Sequence, residues 1–134
     1  MENIERIEYQ GEIIAIVIRK GFEEDGISFF SPPEFSQQLG LISRKKAHVI
    51  KPHIHKTVHR KVSTTQEVLH ILSGRIEVVL YCKDRKKIKS LHLTAGDTIL
   101  LASGGHGIEF IEDSRILEVK QGPYSGVDGD KEHF

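Results

Sequence analysis

The sequence predicts an all-β domain of antiparallel strands arranged as a sandwich or barrel. Three observations point that way. Short runs rich in Val, Ile and Leu, such as EIIAIVI at Glu12–Ile18 and RIEVVLYC at Arg75–Cys82, have the composition and length of strands. Such runs recur at intervals of about ten residues. Turn signals separate them, at Ser73-Gly74, Lys83–Lys87, Ala95-Gly96-Asp97 and Asp113-Ser114. A chain of 134 residues, 38% hydrophobic and 28% charged, suits one globular domain over residues 1–134. No linker, repeat or low-complexity segment divides it.

Taken in order, Glu12–Ile18 is β-branched and short, a buried strand. Gly21–Gly26 is a charged loop, and Ile27–Phe30 a short extended run. Ser31 as cap, Pro32 at the first helical position and Glu34 three residues after the cap predict a short helix over residues 32–39. Phe35 and Leu39 share one face of it, and Gly40 ends it. Leu41–Lys46 and Ala47–His55 read as two strands. Glu67–Leu72, Arg75–Cys82, Ile88–Leu93, Thr98–Ala102, His106–Ile111 and Arg115–Gln121 complete the set, with KDRKK as a charged hairpin tip. The last stretch, GPYSGVDGDKEHF, is a loop-like tail.

Composition excludes several classes of function. Lys and Arg number 19, as do Asp and Glu, so the formal charge is zero. That gives no general affinity for nucleic acid, which needs a positive face. Cys82 is the one cysteine, so no intramolecular disulfide forms, which fits a reducing compartment. The N-terminus is acidic and mixed, unlike a secretory leader. No apolar run approaches the ~20 residues of a membrane span. The expectation is a cytoplasmic protein without a membrane or nucleic-acid partner.

The chemistry lies in the histidines. His53 and His55 are two apart in a predicted strand, so period two puts both on one face. Burying two imidazoles requires partners for both, and a metal ion satisfies both at once. Glu67 opens the next strong strand, with Gly74 seven residues on, and His106 follows a glycine-rich turn. His70 sits at odd spacing from Glu67 and belongs on the other face.

This pattern resembles the cupin family. Its first motif, Gly-x5-His-x-His-x3,4-Glu-x6-Gly, reads from Ala47 through His53, His55 and Glu67 to Gly74. Its second, Gly-x5-Pro-x-Gly-x2-His-x3-Asn, reads from Gly96 through Ala102 and Gly104 to His106. The chain departs from the pattern at Ala47, Ala102 and Phe110, in the one-residue-shorter spacing before His106, and in the eleven residues between His55 and Glu67. A long loop absorbs such an insertion at little cost.

The resemblance implies a jelly-roll barrel in which His53, His55, Glu67 and His106 hold a divalent transition metal such as Fe, Mn, Ni or Zn. It also implies a small-molecule ligand or substrate, with a loose link to carbohydrate or polysaccharide metabolism. The activity it suggests is that of a metal-dependent oxygenase or isomerase. His53-Ile54-His55-Lys56 is similar, too, to the matching stretch of sugar-nucleotide 3,4-ketoisomerases, metal-free cupins whose histidines move protons. A non-catalytic ligand-sensing module is a third reading. His59 and Arg60 in the insertion, and Glu118 and Lys120 on one face of the last strand, are candidate pocket residues. Small cupins often pair through strands, so a homodimer is expected, with Glu12–Ile18 as the strand that pairs or exchanges.

Overall fold

The computed structural model describes residues 3–134; residues 1–2, the start of the segment read above for a leader, lie outside the described residues. β1 (Ile4–Tyr9) and β2 (Glu12–Ile18) form a hairpin. Gln10 (φ 50°) and Gly11 (φ 78°) turn it in the left-handed conformation that tight hairpins require. β3 (Gly26–Phe29) and β4 (Gly40–Ser43) form a second antiparallel pair. β5 (Glu67–Ser73), β6 (Arg75–Tyr81), β7 (Lys87–Thr94), β8 (Thr98–Leu101), β9 (Gly105–Phe110) and β10 (Arg115–Lys120) follow, then one helical turn, α1 (Val127–Asp130). Every strand pairing is antiparallel.

The strands form a five-stranded sheet in the order β1-β2-β8-β5-β10, a three-stranded sheet β7-β6-β9, and the β3-β4 pair. Among the described residues they do not close into a barrel: β10 ends one sheet and β9 ends another, each with one edge unpaired. No helix among the described residues is long and apolar enough to cross a membrane.

The main core lies between the two larger sheets. Leu69, Ile71, Ile99 and Leu101 pack there with Ile76, Val78, Leu80 and Leu93. Each such side chain contributes roughly 1.5–3 kcal/mol by leaving water. A second cluster covers the opposite face of the five-stranded sheet, where Ile16 and Leu100 meet Phe30, Phe35, Leu39 and Leu41. β2 is therefore buried on both faces, from Ile14 to Val17, which is why it reads as an unbroken apolar run.

Two glycine corners set the geometry. Gly74 (φ 88°) carries the chain from β5 into β6, and a Cβ there would lie 2.2 Å from Ser114 Oγ. Gly96 (φ 93°) sits in the turn between β7 and β8, where a Cβ would lie 2.6 Å from Lys20 Cβ. Beside it, the Asp97 carboxylate accepts from Lys20 N (2.9 Å), Thr94 N (2.8 Å) and Arg19 Nη1 (3.3 Å). That fastens the turn to the end of β2.

Three expectations need correction, and one strand lies outside them. Residues 32–39 form consecutive turns and bends, not a helix. The Ser31 hydroxyl, placed to cap a helix, instead accepts from the distant Leu39 N (2.9 Å) and donates to Gln38 Oε1 (3.1 Å), closing a loop. Two turns of helix would not repay nucleation, while the loop still buries Phe35 and Leu39. Ala47–His55 is not a strand: residues 44–66 carry no strand or helix, and each of residues 44–65 is exposed. β2 offers no edge for pairing with another copy, because β1 and β8 flank it. Finally, β1 went unread because Ile4 and Ile7 lie three apart and join different core clusters, so no one-face alternation marks the strand.

Candidate functional site

Glu67 opens β5 at the end of the apolar series Glu67, Leu69, Ile71, and so points into the space between the sheets. It is 8% exposed. His106 stands across that space on β9, where it pairs with Leu80 of β6. Its Nε2–H donates to Glu67 Oε1 at 2.7 Å. The order of the sheets brings these two residues, 39 positions apart in the chain, into direct contact.

β10 adds a second carboxyl. In the register of β5 and β10, Lys120 lies opposite Glu67 and Glu118 opposite Leu69, so both share the face of Glu67. Glu118 hydrogen-bonds Glu67 through its own carboxyl. The bond from His106 holds the Glu67 carboxyl down at about 2, despite its burial. The Glu118 carboxyl moves the other way, raised above the ordinary 4.5, chiefly because the protonated form donates to Glu67. Lys120 is raised by its hydrogen bond to Asp130 (3.3 Å). The two carboxyls of the site are thus shifted in opposite directions, Glu67 down and Glu118 up.

A raised carboxyl pKa stabilises the fold below the unfolded value, and that contribution is lost as the pH rises through the folded value. Glu118 therefore carries an unfavourable charge beside Glu67 at neutral pH. Glu118→Gln keeps a donor and removes the charge. It should raise the melting temperature at pH 7 by about 1–2 °C, with the difference gone below pH 4. Scanning calorimetry at the two pH values checks this, and an equal or lower value at pH 7 contradicts the assignment.

A cavity of about 530 Å³ opens over the pair, lined by Glu67, His106, Tyr81, Lys120, His133 and Phe134. Its outer wall is the tail. Phe134 packs edge-on against Tyr81 with centroids 5.0 Å apart, and Arg85 pairs with Glu132 at 2.7 Å. Gly105 makes room, since a Cβ there would lie 2.9 Å from the Phe134 ring. The tail, loop-like in sequence, carries no spacing pattern that would place its aromatic and acidic residues on a cavity.

The other candidates fall elsewhere. His53 and His55 are exposed, their ring centroids 5.3 Å apart. His53 Nδ1–H donates to the Lys51 carbonyl at 2.8 Å, which leaves Nε2 of the neutral ring as a free acceptor. Neither lines the Glu67–His106 cavity. His59 is exposed. Arg60 lines a different, larger cavity of about 890 Å³, where Gln37, Gln66 and Gln121 form an amide network. His70, on the far face of β5, bonds Thr98 Oγ1 at 2.8 Å.

Of the four residues expected to share a metal ion, Glu67 and His106 meet, while His53 and His55 stand apart from them. Among the described residues, no three His, Cys, Asp or Glu side chains gather as a metal requires. No protein-family model, no curated protein and no solved structure matches the chain.

Proposed function

We propose that this chain is a small cupin-type protein that binds a small molecule over Glu67 and His106 and moves protons on it. One observation carries the reading: a buried, ionised carboxylate bonded to an imidazole whose ring borders an open cavity. The carboxylate fixes the ring's orientation and tautomer, the arrangement of a general acid–base pair. Glu118 stands behind Glu67 as a carboxyl that retains a proton more readily. Lys120, Lys131 and His133 share the cavity wall with Asp130 and Glu132, a lining that suits a polar substrate. A carbonyl-bearing sugar or sugar nucleotide matches this chemistry, as does the resemblance of His53-Ile54-His55-Lys56 to metal-free ketoisomerases.

The test is hydrogen exchange at carbon. With metal-stripped protein in deuterium oxide, NMR should detect deuterium entering beside the carbonyl of a keto-sugar nucleotide. His106→Ala should abolish that exchange and His59→Ala should leave it. Exchange no faster than in protein-free buffer across free and nucleotide-linked keto-sugars overturns the reading.

A second reading, a divalent transition-metal site, draws support from the paired imidazoles of His53 and His55 with their open acceptor nitrogen. It requires those rings to reach Glu67 and His106. Elemental analysis of protein purified without added metal decides it, with His53→Ala and His106→Ala as controls.

A further inference from the structure

Beyond Gly122 the tail is held to the strands by side chains. None of residues 122–134 is buried. Among the described residues, the backbone of 123–134 bonds only to itself, Asp130 N to the Gly126 carbonyl and Lys131 N to the Val127 carbonyl. The holding side chains gather at two cations. Lys120, at the end of β10, takes the Asp130 carboxylate (3.3 Å) and the face of the Tyr124 ring (4.8 Å to its centroid). Arg85, in the turn between β6 and β7, takes the Glu132 carboxylate (2.7 Å) and the face of the Phe134 ring (5.3 Å to its centroid). One cation belongs to the five-stranded sheet and the other to a hairpin of the three-stranded sheet. The tail therefore crosses from sheet to sheet as a strap, over the cavity that holds Glu67 and His106.

The strap also divides that cavity from a neighbour. The space of about 530 Å³ over Glu67 and His106 and an adjoining one of about 410 Å³ share Thr65, Gly104, Gly105, Glu132 and Phe134 as lining. Two of these five are strap side chains. Gly105 has no side chain where the Phe134 ring rests, and Tyr81 meets that ring edge-on with centroids 5.0 Å apart. Tyr81, Gly105 and Arg85 thus frame a slot for a ring, and Phe134 fills it while 61% exposed. The grip is weak. The Arg85 and Glu132 side chains are 52% and 82% exposed, and ion pairs so open to water contribute little.

We propose that residues 123–134 are a displaceable strap, and that the slot under Phe134 binds a small molecule whose aromatic ring is linked to a phosphate or carboxylate. The strap itself displays the chemistry that the slot accepts, a carboxylate on Arg85 and a ring against Tyr81. A ligand that joins both features replaces Glu132 and Phe134 together, and the two cavities then open into one trough. Arg85 is the better anion partner of the two cations. Lys120, once released from Asp130, still lies opposite Glu67 in the register of β5 and β10, whereas Arg85 pairs with no carboxylate but Glu132 among the described residues. The slot adjoins His106, the residue after Gly105, so a molecule seated there presents its other end to the Glu67–His106 pair. That consequence alone rests on the reading of the pair as the functional site.

Titrations of the native ¹⁵N-labelled protein followed by NMR test this, with phenyl phosphate and phenylacetate as probes at millimolar concentration. At least one probe should shift the amide signals of Tyr81, Gly105 and His106. It should also move those of residues 130–133 toward their positions in a Glu132→Gln/Phe134→Ala variant, whose strap is loosened at two exposed residues. That variant should bind the same probe about 5–10-fold more tightly, because the native slot is free only in the fraction of molecules whose strap is open. Adding Arg85→Met to the loosened variant should weaken binding about tenfold, the scale for a charge-assisted hydrogen bond. Inorganic phosphate, which has no ring, should leave the strap signals in place. The proposal is overturned if neither probe shifts these signals, if the loosened variant binds no more tightly than the native protein, which would make the tail a fixed wall, if Arg85→Met leaves affinity unchanged, or if inorganic phosphate displaces the strap equally well. No readout here involves turnover, so the strap can fail while hydrogen exchange at carbon succeeds, and the reverse.

Discussion

Glu67→Gln should lower proton transfer in the cavity by about 10²–10⁴-fold, the range for losing a positioned acid–base partner. The substitution keeps shape and removes charge, so His106 loses the carboxylate that orients its ring. It should also change how the fold responds to acid. The Glu67 carboxyl is held at about 2 by the bond from His106, against an ordinary 4.5. A depressed carboxyl stabilises the native state fully above the unfolded value and loses that contribution as the pH falls toward the folded one. The gap corresponds to about 3 kcal/mol, lost between roughly pH 5 and pH 2. Urea unfolding of the wild type should show this decline. Glu67→Gln should be less stable at pH 7 and flatter over the acid range. Parallel acid limbs in the two proteins would refute the assigned role.

Asp97→Ala should cost about 3 kcal/mol, the scale for leaving buried donors and a cation without their acceptor. Asp97 is 4% exposed. Its carboxylate serves two backbone N–H groups, Lys20 and Thr94, and the Arg19 guanidinium. Alanine leaves the two backbone N–H groups without their acceptor, while Arg19 keeps the His92 carbonyl. Asp97→Asn retains an acceptor oxygen and should lose distinctly less. Urea midpoints at pH 7, with unchanged slopes, measure both. A loss below 1 kcal/mol for alanine would mean that the turn is held by its backbone bonds alone, Ile71 N to the Asp97 carbonyl and Gly96 N to the Ile71 carbonyl.

The strands of the two larger sheets were legible because their apolar residues face one core in a regular alternation. Arg75–Tyr81 and Arg115–Lys120 fall within a residue of where periodicity put them. Glu67 and His106 were legible as candidates, and they do meet. Glu118 and Lys120 were legible as sharing one face, and that face is the one that carries Glu67. What the residues could not disclose was the fate of Ala47–His55. Its apolar and polar positions have strand character, but a strand needs a partner, and this segment pairs with none of the described strands. The Ser31 cap misled for a related reason: a hydroxyl eight residues from Leu39 closes a loop as readily as it opens a helix, and only tertiary burial of Phe35 and Leu39 decides between them.

The corner at Gly74 has a bearing on how this chain can vary. Before it, the side chains facing the core carry odd numbers, Glu67, Leu69 and Ile71; after it they carry even ones, Ile76, Val78 and Leu80. The corner works like a reading frame for the second sheet. One residue added or removed there would turn Ile76, Val78 and Leu80 toward water and bring Glu77, Val79 and Tyr81 inside. Insertions can lengthen the exposed stretch before Glu67 freely, but the passage from β5 to β6 tolerates only changes that preserve its parity.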